Sequence, residues 1–157
     1  MSRKVNRGFT LVEVLIVVVI MAVLAAVVIP QFSASTDDAK RSTGEFNLST
    51  LRSIIQIYKA QHGATTPAHD NATKTLPGLM AKTLANGTID AAGPYGPYLV
   101  EFPENPYTSK KDVALTTKTT LAAGDVTAGN AGGWLYNVTT GQIWLDSNTT
   151  GIKEFEF

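Results

Sequence analysis

Glu13 is the residue whose position most demands a chemical explanation. It carries the single charge in the 21 residues from Phe9 to Ile29, FTLVEVLIVVVIMAVLAAVVI. An acid inside such a run costs about 3 kcal/mol or more in a bilayer, which marks it as functional and in need of a cationic partner. No Lys, Arg or His occurs between Gly8 and Lys40. The one positive charge this chain could supply nearby is a new α-amino group, made if the chain were cut between Gly8 and Phe9. The other polar groups promise less. His62 and His69, with Asp70, stand around a glycine and a proline and lack the i,i+4 geometry of a helical metal site, so solvated loop positions are expected. Asp37-Asp38 and Glu101/Glu104 are expected to be solvated or to lie near helix starts. The glycine-rich AGNAGG lacks the lysine and Ser/Thr of a phosphate loop. Five Asn-X-Ser/Thr triplets, at Asn47, Asn71, Asn86, Asn137 and Asn148, are read as polar surface. No catalytic constellation emerges, and the chain is not expected to be an enzyme.

The elements that must position Glu13 follow from the surrounding pattern. As a helix rising 1.5 Å per residue, Phe9–Ile29 reaches about 31 Å, the hydrocarbon thickness of a bilayer. Arg3, Lys4 and Arg7 precede it with no acid among them, which keeps the N-terminus cytoplasmic and puts the remainder outside. A plain single-pass anchor would satisfy this pattern. A signal peptide cut near Ser33-Ala34-Ser35 fits poorly, because its apolar core is usually about 7–15 residues long. Pro30 should kink the helix without ending it. Beyond it, Phe46, Leu51, Ile54, Ile55, Ile57 and Tyr58 recur at helical spacing as a narrow apolar stripe. One helix from Phe9 to about Gln61, stopped at His62-Gly63, is expected.

The rest of the chain reads as a small head. A short helix is expected around Thr75 to Ala85, ended by Asn86-Gly87, and a short strand over Tyr98 to Phe102. A long Thr/Ala/Gly-rich loop covers 110–133, with a strand near Val113–Leu115. Trp134-Leu135-Tyr136 and Ile143-Trp144-Leu145 flank Thr139-Thr140-Gly141 as a hairpin whose aromatics should pack on the long helix. The fold class is therefore α+β: a long kinked N-terminal helix packed, in its C-terminal half, on a small antiparallel sheet. The 157 residues contain no cysteine, which excludes a disulfide framework, a thiolate metal site and a cysteine nucleophile. Net charge is zero, but with the three leading bases set aside ten bases face thirteen acids, a poor balance for binding nucleic acid.

The stretch RGFTLVEVLIVVVIMAVLAAVVIPQF resembles the N-terminus of type IV pilins and of the pseudopilins of type II secretion systems. The family pattern is a basic leader ending in Gly, then Phe-Thr-Leu-(Ile/Val)-Glu and an apolar helix; here these are Gly8, Phe9, Thr10, Leu11, Val12 and Glu13. Gly96-Pro97-Tyr98-Leu99, then Pro103, Asn105 and Pro106, and the run from Gly133-Trp134 to Ile143 also resemble the heads of short major-pseudopilin-like proteins.

The resemblance implies a pilin-like fold and a structural subunit of a secretion pseudopilus, with a type IV pilus subunit as the alternative and a monomeric membrane-anchored binding protein as the reading from another class. It implies cleavage by a prepilin peptidase between Gly8 and Phe9, and methylation of Phe9. The domain order implied is leader 1–8, hydrophobic assembly helix 9–30, amphipathic half 31–62 and head 63–157. Glu13 would pair with the Phe9 amine of a neighbouring copy, although its own N-terminus, four residues away on the same face, is also within reach. Partners would be further copies of the chain, the peptidase, the inner-membrane assembly platform and other pilins or pseudopilins. The location implied is the bacterial inner membrane with a periplasmic head, then a filament. Typical major pseudopilins bind calcium; only Asp125 and Asp146 offer carboxylates near the end of this chain, and no cofactor is expected.

Overall fold

The computed structural model describes residues 8–121 and 132–146. Its elements are α1 (Leu11–Gln61), α2 (Pro77–Met80), β1 (Val113–Leu115), β2 (Trp134–Asn137) and β3 (Gln142–Leu145). Packing divides the chain into one unit ending at Ala39 and a second beginning at Lys40.

In the first unit the chain is helical from Leu11 onward, and every side chain from Gly8 to Ser33 is exposed. Leu, Ile, Val and Ala dominate, so no packing partner within the unit covers them. Pro30 lies inside α1 and does not end it. Proline there cannot donate to the carbonyl four residues back, at Ala26.

The second unit is built on the remainder of α1. Leu48, Leu51, Ile55 and Tyr58 are buried at alternating three- and four-residue steps, the period of one helical face. This corrects the expected stripe. Phe46 is 72% exposed and Ile57 is exposed too, because both lie on the opposite side from Leu48, which belongs to the core. Gly44 continues the buried face, and a Cβ there would stand 3.5 Å from Leu145. The helix stops where the sequence indicates. Gly63 takes φ +62°, and the Ala64 amide reaches back to the Lys59 carbonyl at 2.8 Å, the six-to-one closure of a helix C-terminus.

The sheet has the order β1-β2-β3. β2 and β3 form the expected antiparallel hairpin, with Trp134 opposite Leu145 and Asn137 opposite Gln142, and Gly141 supplies the positive φ of the turn. β1 runs parallel to β2, with Val113 opposite Trp134 and Leu115 opposite Tyr136. The sheet is therefore mixed, not wholly antiparallel, and the long connection between β1 and β2 provides the return that a parallel pair requires.

Side chains alternate across this sheet. Trp134, Tyr136, Ile143 and Leu145 join the α1 residues, Leu76, Leu79, Phe102 and Val113 in the main core. Leu135 and Trp144 form a second cluster with Ala114 and Leu121. The hairpin aromatics thus divide between the faces: Trp134 and Tyr136 pack with the helix and Trp144 does not.

Two further expectations are corrected. The short helix is only four residues, because Ala81 turns extended and Thr83 pairs with Tyr95 and Ile89 instead of continuing the helix. No strand forms over 98–102; the Tyr98 and Leu99 amides both donate to the Leu79 carbonyl, at 2.8 and 2.9 Å.

Candidate assembly site at the helix N-terminus

Gly8, Phe9 and Thr10 precede the helix without belonging to it. The Gly8–Phe9 bond is therefore in non-helical, exposed chain, and the Phe9 side chain is 88% exposed. A Cβ at Gly8 would meet nothing within 4 Å.

Thr10 fixes where the helix begins. Its hydroxyl accepts from the Glu13 amide at 3.2 Å, while Glu13 Oε2 accepts from the Thr10 amide at 2.8 Å and from the Thr10 hydroxyl at 2.7 Å. This reciprocal arrangement is a capping box, in which two otherwise unpaired donors at a helix start are satisfied. The carboxylate also sits at the positive end of the helix dipole. The partner the structure gives Glu13 is thus Thr10, and neither of the two amines expected from the sequence. The signal was available as Thr-X-X-Glu immediately before an apolar run.

Arg3, Lys4 and Arg7 lie outside the described residues, as do Asp125 and Asn148. Asp146 is fully buried at the end of β3, where its backbone carbonyl accepts from Asn105 Nδ2 at 2.6 Å. Among the described residues, no group of three His, Cys, Asp or Glu side chains could hold a metal ion. Asp37 and Asp38 are exposed. Glu101 and Glu104 are exposed as well, but Lys111 Nζ reaches both, at 3.5 Å to Glu104.

The histidines are not solvated loop residues. His62 is 2% exposed, stacks on Tyr58 with ring centres 3.9 Å apart, and meets the edge of Tyr95. Its Nδ1–H donates to the Tyr58 carbonyl at 2.7 Å, and its Nε2 accepts from the Thr83 hydroxyl at 2.9 Å. The helix C-terminus thus buries its last aromatic ring under the 83–95 segment. His69 is half-buried and donates from Nε2 to the Val113 carbonyl at 2.7 Å, covering the outer edge of β1. Asp70 accepts from the Thr73 hydroxyl at 2.8 Å and the Ala72 amide at 2.9 Å, which hold its carboxyl below the usual range. Both groups organise the 69–75 loop.

Asn137 departs from the reading of the Asn-X-Ser/Thr triplets as surface. It is buried, accepts from the Thr139 and Thr140 amides and donates to the Lys118 carbonyl at 2.7 Å, so it shapes the hairpin turn. Asn105 is equally buried and ties Gly133 and Asp146 to the 103–111 segment. Its role was not foreseen, since a polar residue between prolines reads as loop.

α1 is long and apolar enough to cross a membrane, by length and composition. Residues 3–29 match the family described as the prokaryotic N-terminal methylation motif. Over 107 residues the chain is 30% identical to type II secretion system core protein G of Pseudomonas aeruginosa, covering 68% of this chain and 72% of that protein. The protein of the same name from Klebsiella pneumoniae is 30% identical over 106 residues, covering 66% of this chain and 71% of that protein. Type IV major pilin protein PilA of Myxococcus xanthus is 48% identical over 46 residues, but these cover only 29% of this chain and 21% of that protein. No solved structure matches significantly. The match to core protein G, over 107 residues, is longer than the 51-residue α1 and so includes part of the head, whereas that to the pilin spans 46 residues. This chain belongs to the pilin and pseudopilin family, within the group of type II secretion system core protein G.

Proposed function

We propose that this chain is a structural subunit of a type II secretion pseudopilus. It would enter the inner membrane through α1 with the N-terminus cytoplasmic and the head periplasmic. A prepilin peptidase would cut between Gly8 and Phe9 and methylate Phe9, and the mature chain would then leave the bilayer for a helical filament whose extension drives protein export. The observation that carries this reading is the exposed apolar start of α1 with Glu13 in its first turn, on a chain similar to core protein G beyond that helix. The prepilin peptidase, the inner-membrane assembly platform and other pseudopilins would be the partners.

Glu13 supplies register in this scheme. At about 4 Å and an effective dielectric of about 20, pairing with the Phe9 amine of an adjoining copy is worth about 4 kcal/mol of Coulomb attraction before desolvation. That matches in size the cost of holding the acid in lipid, so transfer into the filament relieves one term with the other. In the unassembled chain Thr10 satisfies the carboxylate, and the neighbour's amine has to displace or share that contact. Pro30 would kink the apolar helix where it leaves the bilayer.

The mass of the mature chain tests the processing step. A chain beginning at a methylated Phe9 supports the reading. One beginning at Met1, or after Ser35, defeats it.

A further inference from the structure

We propose that Asn86 is a site of spontaneous covalent modification, converted to an aspartyl or isoaspartyl residue by attack of the following backbone nitrogen. The inference is independent of the assembly reading.

Of the eight asparagines in the chain, Asn86 alone is followed by glycine. The pair sits on an exposed turn. The Leu84 amide donates to the Thr88 carbonyl at 2.9 Å, the Gly87 amide donates to the Leu84 carbonyl at 2.8 Å, and Gly87 takes φ +82°. Asn86 is exposed, so water and hydroxide reach it.

Two features favour the reaction here. Gly87 has no Cβ to obstruct the approach of its nitrogen to Asn86 Cγ. The Thr88 amide donates to Asn86 Oδ1 at 3.0 Å, placing a donor on the oxygen where negative charge develops as the nitrogen adds. Opening of the hydrogen bond from Gly87 to Leu84 frees that nitrogen.

The step balances without an outside reagent other than water. Solvent hydroxide removes the Gly87 N–H proton, and a bond forms between this nitrogen and Asn86 Cγ. The Cγ–Nδ2 bond then breaks, and Nδ2 leaves as ammonia after taking a proton from water. Water next adds to either carbonyl of the five-membered imide and breaks one of its C–N bonds. The products are a carboxylate at position 86 with the original backbone, or an isoaspartyl link with one extra methylene in the main chain.

The consequence is local but not trivial. A Cβ at Gly87 would stand 2.8 Å from the Tyr58 hydroxyl, so no slack exists on that side for a lengthened backbone. The same turn carries the pairing of Thr83 with Ile89, and Thr83 holds His62. An isoaspartyl link therefore bears on the packing of the C-terminus of α1, and either product adds a negative charge to the head.

The test is to age the purified full chain in detergent in mildly alkaline buffer and map its peptides by mass. The expected result is a gain of about 1 Da on the peptide containing residue 86, at least about tenfold faster than at exposed Asn71, equivalent to about 1.4 kcal/mol in barrier. Asn71 is the internal reference, because it also lies on an exposed turn but is followed by alanine. The gain should vanish from that peptide in Asn86→Gln, whose longer arm would have to close a six-membered ring. Retention of the amide at Asn86 for as long as at Asn71, or a gain that persists in Asn86→Gln, overturns the proposal.

Discussion

Thr10 and Glu13 close the first turn of α1 on each other: the threonine hydroxyl receives the Glu13 amide, and the glutamate oxygen receives both donors of Thr10. The acid at the centre of the assembly scheme is thus already an acceptor of two hydrogen bonds before any second copy arrives. Losing the hydroxyl should weaken the helix start by about 1 kcal/mol. In Thr10→Val, hydrogen exchange of the Glu13 amide, measured in detergent, should therefore rise about fivefold. The melting temperature of the head should not change, since its core begins at Leu48.

His62 should be among the most costly positions in the head to truncate. His62→Ala removes a stacked ring and leaves the buried Thr83 hydroxyl without its imidazole partner, while the Tyr58 carbonyl keeps only the backbone amide of residue 62. A loss of about 2–4 kcal/mol is expected, which for a domain of this size lowers the melting temperature by about 10 °C or more. Phe46→Ser, on the exposed side of the same helix, should change stability by no more than about 0.5 kcal/mol. Thermal denaturation of both variants checks the pair.

Alkaline stability should depend on buried tyrosines. Tyr136 is fully buried, with its hydroxyl donating to the Pro67 carbonyl at 3.0 Å. Burial pushes its ionisation far above the ordinary tyrosine value, and it raises Tyr58 and Tyr98 as well. A folded-state pKa above the unfolded one gives stability that is complete below the unfolded value and is lost as the pH rises beyond it. Urea midpoints should accordingly be flat up to pH of about 10 and fall above it. Tyr136→Phe should reduce that slope.

Two glycines separate folding from processing. A Cβ at Gly133 would overlap the Lys110 carbonyl, whereas one at Gly8 meets nothing. Gly133→Ala should destabilise the head by about 3 kcal/mol, because the added Cβ would meet backbone atoms of Lys110 and not a side chain that could swing away. Gly8→Ala should leave the melting curve unchanged, so any loss of mature chain on an immunoblot reports on the peptidase step alone.

Much of this fold was legible because single residues state it locally. Gly63 marks the end of α1, Gly141 marks the hairpin turn, and the run from Phe9 to Ile29 reads as one apolar helix. The misreadings arose where distant chain decides. Nothing near His62 in sequence announces Thr83 or Tyr95, whose backbone pairing both ends α2 early and buries the ring. The parallel placement of β1 depends on a long connection whose course local pattern does not give. Phe46 and Ile57 looked like core because their spacing is helical, yet periodicity alone does not say which face meets the sheet. At the candidate site Glu13 stands out as the one charge in the apolar run, and the capping box is legible as Thr10-X-X-Glu13, a pattern of hydrogen bonding and not of charge.

The most direct measurement is filament formation by Glu13→Gln in cells that process and insert the chain normally. Quantitative electron microscopy should show filaments reduced to a small fraction of the wild-type number, with equal amounts of mature subunit in the membrane. Wild-type numbers of filaments from that variant would contradict the role assigned to the carboxylate.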